Sequence, residues 1–219
     1  MTRNAIVRRV VVEGPVREGI LSPMAQRGFD FTGAMQTLCD DVVSRIPDLA
    51  HVRMPQVAVA FAQARHRELH GLQAKLTPMR FEQGALTCRR SGHHWTVRRM
   101  FDGEREILYI LTFYLPRFLD QPLSEKLVTV LHELFHISPR FDGDIRRMEG
   151  RYHVHTHSQK EYDRQMAVYS EQYLASRPHE KTWGFLRSNF NELVRHHGGV
   201  IGRKVPIPRL VRLPGQRSA

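Results

Sequence analysis

Between Pro122 and Pro139 the chain reads LSEKLVTVLHELFHIS, with Leu127, Leu131 and Phe135 at every fourth residue beside Val130 and Leu134. That spacing predicts an α-helix with one deeply buried face, which needs a core to pack against. Ser124 is the expected N-cap, and Pro139 stops the helix one turn beyond His136. A chain of 219 residues can bury one such core, so a single domain with extensions is expected.

The rest of the pattern supplies elements to pack on that helix. From Thr32, Met35, Leu38, Val42 and Ile46 recur at helical spacing with Asp30 or Thr32 as N-cap, which makes Cys39 a packed core residue. Val57–Phe61 reads as a strand. Further strands are expected at Leu76–Phe81, at Trp95–Met100 before an Asp102-Gly103 turn, and at Ile107–Leu115 before Pro116. A capping box at Ser158–Glu161 starts a second helix, and a third is expected from Trp183 to Val194. The fold class is therefore α+β, a small mostly antiparallel sheet against the 124–136 helix and further C-terminal helices.

Residues 1–28 mix short apolar runs with Arg and Gly and read as a basic arm or edge strand. After His197 the chain has no acidic residue, and Pro206, Pro208 and Pro214 prevent a regular helix. The expected division is a basic extension over 1–28, the folded domain over 29–196 and an extended basic tail over 197–219.

Lys and Arg number 33 against 22 Asp and Glu, a formal charge of +11 that suits a nucleic-acid partner reached through the basic surface and tails. Two cysteines, Cys39 and Cys88, build neither a disulfide framework nor a four-cysteine zinc site. Cys88 with His93 and His94 lacks a second pair at finger spacing, so a turn between strands is the reading there. No apolar run matches a signal peptide or membrane span, and a cytoplasmic protein with no membrane partner is expected.

The polar residues of the 124–136 helix carry the chemistry. His132-Glu133-Leu134-Phe135-His136 matches H-E-x-x-H, and positions i and i+4 stack on one helix face, so two imidazoles converge on one ion. Glu133 projects beside them as a general base toward a metal-activated water that attacks a carbonyl carbon. A peptide or protein substrate and one catalytic Zn2+ follow from that logic. A third ligand is needed, and His153, His155 and His157 alternate just before the capped helix. His157 is preferred because the helix start fixes its backbone, then His155 and His153, with Glu149 as a carboxylate competitor. Asp142 and Asp144 are weaker candidates, since Asp142-Gly143 suits a tight turn, and Arg146 and Arg147 suit acidic loop partners or a substrate carbonyl. Tyr152 and Tyr162 are candidate donors to a tetrahedral oxyanion. A rival reading is a basic nucleic-acid-binding protein whose zinc is structural, closed by four protein ligands.

The run HELFHISPRFDGDIRR followed by HTHSQKEYD, together with GLQAKLTP and ILYILTFYLPRF upstream, resembles a family of phage and prophage metallopeptidases. The resemblance covers roughly the central two thirds of the chain and implies a zincin-like fold with the HExxH helix at its active site. A more distant similarity is to SprT-like, Spartan-type proteases, where a His-Gly pair opens the helix after the zincin helix. His157-Ser158 occupies the corresponding place, and this similarity implies cleavage of DNA-associated proteins.

Overall fold

The computed structural model describes residues 8–12, 28–64, 71–147 and 158–214, and for 8–12 and 158–163 the backbone alone. In chain order the elements begin with β1 (Arg8–Val12), β2 (Phe29–Asp30), α1 (Phe31–Arg45), β3 (Val57–Gln63), β4 (Ala74–Pro78), β5 (Thr87–Arg90) and β6 (His93–Val97). Then come β7 (Met100–Asp102), β8 (Arg105–Ile107), β9 (Tyr109–Leu115), α2 (Leu123–Phe135) and α3 (Ser158–Ala175). The chain closes with α4 (Glu180–Trp183), α5 (Phe190–His197), β10 (Val200–Lys204) and β11 (Leu210–Arg212). The architecture is α+β, and among the described residues the single expected sheet is divided into four small ones with mostly antiparallel pairing.

The sheet that positions α2 has the order β3-β9-β4. Its central pair is parallel, from Val57↔Tyr109 to Gln63↔Leu115, and β4 runs antiparallel along β9 as an edge strand. Side chains alternate across the sheet. Val57, Val59 and Phe61 join Tyr109, Leu111, Phe113 and Leu76 on the face covered by α1 and α2, where Met35, Leu38, Cys39, Leu127, Val130, Leu131 and Leu134 are buried. Ala60 and Ile110 face the other way and form a second, smaller core with Met79 and Val205, against which Val97 and Met100 pack. Coverage on both faces explains why the sequences of β3 and β9 are nearly continuous apolar runs.

Local chemistry sets most element ends. Asp30 caps α1 by accepting the Gly33 N–H at 3.0 Å. Helix α2 starts at Leu123, with Pro122 rather than Ser124 in the N-cap position. Lys126 N–H donates to the Pro122 carbonyl at 3.0 Å, so the first turn closes on the proline and Ser124 falls inside the helix. The helix expected over Trp183–Val194 is broken into α4, a 3-10 turn over Gly184–Arg187, and α5. Asn189 causes the break by forming its own capping box with Glu192, which demands extended backbone at the cap. The strand expected over Trp95–Met100 is interrupted after Val97, and β5 and β6 form a hairpin that sets Cys88 opposite Trp95.

Helix α3 packs against α2, burying Met166, Tyr169 and Tyr173. Tyr173 Oη donates to Asp41 at 2.8 Å, and Tyr169 Oη donates to Asp48. Within 197–219, β10 lies between β1 and β2, and β11 pairs with β6. No helix among the described residues is long and apolar enough to cross a membrane.

Candidate metal centre

His132 stands on the last turn of α2 and His136 caps its C-terminus, so the helical rise of one turn brings the rings together. Their Nε2 atoms are 3.0 Å apart, and the rings meet edge to face with centroids 4.6 Å apart. Without an ion this is a hydrogen bond from one imidazole to the other. It is also close to the roughly 3.3 Å that separates two nitrogens sharing one tetrahedral zinc.

Glu133 is fixed from the sheet side. Its Oε2 accepts the Leu76 N–H at 2.6 Å, and Leu76 lies on the edge strand β4, where that N–H faces away from β9. Burial pushes the Glu133 carboxyl up to about 7, while the Leu76 N–H and the nearby Lys75 charge pull it back. A carboxyl in this range can both take and return a proton near neutrality.

The loop after α2 is tied down atom by atom. Arg146 N–H donates to the His136 carbonyl at 2.7 Å and its Nε to the Phe135 carbonyl at 2.8 Å, while the guanidinium lies over the Phe135 ring. These bonds satisfy carbonyls that the helix end leaves without an internal donor. Asp144 accepts the Gln83 and Ile145 N–H groups at 3.0 and 2.8 Å and pairs with Arg147 at 3.1 Å. Tyr109 Oη donates to the Asp144 carbonyl and accepts the Gly143 N–H, both at 2.9 Å. Burial pushes the Tyr109 phenol upward, which keeps it protonated as a donor. Asp142 turns the loop by accepting the Asp144 N–H at 3.1 Å, with Gly143 at φ +86°.

Of the expected residues, the fold brings together His132 and His136, while the Glu133 carboxylate between them in sequence is held on the Leu76 N–H. Asp142 and Asp144 are engaged in the loop. Among the described residues no third His, Cys, Asp or Glu joins the histidine pair. Glu149, Tyr152, His153, His155 and His157 lie outside the described residues, and Tyr162 is described only as backbone of α3. Sequence reasoning missed Leu76, Arg146 and Tyr109 as supports. For Tyr109 a signal existed: a phenol within the buried run YILTFYL must find a hydrogen-bond partner.

Comparison with family models, with curated proteins and with solved structures finds no match to this chain. The two imidazoles are donors of a kind that suits zinc, and their nitrogens already converge.

Proposed function

We propose that this protein is a zinc-dependent metallopeptidase with a zincin-like fold. The supporting observation is the convergence of His132 Nε2 and His136 Nε2 at 3.0 Å, with the carboxylate of the intervening Glu133 pinned to a sheet edge. His132 and His136 hold the ion, with the third ligand drawn from 149–157: His157 first, then His155, His153 or Glu149. Zinc, when bound, supplies Lewis acidity that makes water nucleophilic near neutral pH.

The chain's own groups do the remainder. Glu133 accepts a proton from the attacking water and returns it to the departing amine, for which its raised pKa is suited. An extended peptide can pair along the outward edge of β4 through the carbonyl of Leu76, whose own N–H is held by that carboxylate, and such pairing orients it. Tyr152 or Tyr162 donates a hydrogen bond to the developing oxyanion.

The test is elemental analysis followed by a cleavage assay on a degenerate peptide library. About one zinc per wild-type chain is expected, lost in His136→Ala and in His157→Ala. Glu133→Gln should retain the metal and lose hydrolysis. A wild-type chain that takes up no zinc, or a Glu133→Gln variant that cleaves as fast as wild type, sinks the reading.

A further inference from the structure

The stretches 83–101 and 193–219 are basic and contain no acidic residue. The fold brings them side by side. Strand β11 pairs antiparallel with β6, through Leu210↔Val97, Val211↔Thr96 and Arg212↔Trp95, and β6 pairs with β5. The resulting sheet gathers Arg89, Arg90, Arg98, Arg209 and Arg212 with His93 and His94, all exposed. None of these arginines has a carboxylate partner among the described residues, whereas Arg99 and Arg80 nearby are both neutralised by Glu106.

The charge sits on both faces of a narrow ribbon. Paired residues share a face, so Arg89 and His94 project to one side while Arg90, His93 and Arg212 project to the other. Arg212 Nη2 lies 3.0 Å from His93 Nδ1 on that second face. A guanidinium N–H donating to the imidazole nitrogen fixes the Arg212 head group on that face while leaving its remaining N–H donors for another acceptor. A flat bilayer could reach only one face of such a ribbon. A duplex groove offers phosphates on both walls, so charge on both faces of the sheet can meet them.

We infer that the β11-β6-β5 sheet is a nucleic-acid-binding surface, set against duplex DNA with its arginines on the phosphate backbone. The inference stands apart from the peptidase reading. The sheet packs through Val97 on the small core, on the opposite face of β3-β9-β4 from α2, so bound DNA leaves the histidine pair uncovered. Binding therefore tethers the protein to DNA rather than filling its cleft.

The experiment measures fluorescence anisotropy of a labelled duplex of about twenty base pairs, long enough for the sheet and its flanks, over a range of salt concentrations. The full chain is compared with Arg89→Gln/Arg90→Gln/Arg212→Gln and with Arg164→Gln/Arg177→Gln/Arg195→Gln. The second triple removes the same charge from exposed helical and loop positions elsewhere. The ribbon variant should bind about tenfold or more weakly at moderate salt, with the salt slope reduced by about 3, near 0.9 for each phosphate no longer neutralised. The control triple should stay within about threefold of wild type, since distant charge adds only a screened field. Glu133→Gln should bind as wild type does. Equal loss in both triples, absence of duplex binding by wild type even at low salt, or tighter binding to vesicles of equal phosphatidylcholine and phosphatidylserine than to DNA would overturn the assignment. Should the ribbon triple fail to fold, the hairpin-tip variant Arg89→Gln/Arg90→Gln carries the same test, with a slope change of about 2.

Discussion

Lys126 shares α2 with the paired histidines yet is 2% exposed, and its ammonium donates to the Leu186 and Ser188 carbonyls at 2.7 and 2.9 Å. Those carbonyls end the 3-10 turn before α5, so one side chain fastens the histidine-bearing helix to the C-terminal helices. Burial pushes Lys126 down to about 8, with the Asp120 and Glu192 carboxylates pulling it back up. Because the folded value lies below the ordinary 10.5, the unfolded chain holds this proton more tightly. Stability from this group therefore rises with pH between about 8 and 10.5, and the full cost of the buried charge is present below 8. Lys126→Met removes that cost but leaves two carbonyls without a donor, for a net loss of about 1–2 kcal/mol at neutral pH. Urea unfolding should show this loss and a flatter dependence on pH across the same window. A variant with wild-type stability and the wild-type slope would mean that the lysine bonds contribute nothing.

Helix α2 and its following loop act as one element. Gly143 adopts φ +86°, and a Cβ there would approach Arg80 Cγ to 2.4 Å, displacing a side chain that pairs with Glu106. Gly143→Ala should cost about 1–3 kcal/mol from the left-handed backbone and the clash together. It should also weaken zinc retention about tenfold, because the loop holds the His136 carbonyl through Arg146. Unfolding in the presence of a chelator isolates the first effect, and competition with a chromophoric chelator reads the second; unchanged values in both would refute the coupling. At this scale much was legible. The fourfold recurrence of Leu127, Leu131 and Phe135 marked α2 because helical period depends only on neighbours along the chain. Its N-cap was misplaced by two residues because Ser124 and Pro122 both suit a helix N-terminus, and the backbone bond to Pro122 decided between them. The break before α5 was missed although Asn189 and Glu192 spell a capping box, since the apolar pattern on both sides suggested continuity.

At the scale of the whole molecule, pairing between distant segments was invisible in the sequence. Nothing local relates β3 to β9, or β10 to β1, because sheet partners are chosen by tertiary packing rather than by adjacent residues. The Glu133 contact with Leu76 belongs to the same class: the motif named the carboxylate, and only the placement of β4 named its donor. The basic C-terminal stretch illustrates the consequence for stability. Val200 and Ile201 are buried in β10, Arg203 N–H donates to Thr32 Oγ1 at 3.1 Å, and a Cβ on Gly202 would meet Thr32 at 2.9 Å and Phe61 at 3.1 Å. Strand β10 thus abuts both α1 and β3 while supplying the ladder for β1 and β2. A chain ending at Pro214 keeps every described strand and should unfold with the wild-type midpoint. A chain ending at Gly198 removes β10 and β11, uncovers apolar surface on α1 and leaves two strands without partners. It should lose a cooperative urea transition or shift its midpoint sharply downward, and an unshifted midpoint would show that the domain closes without β10.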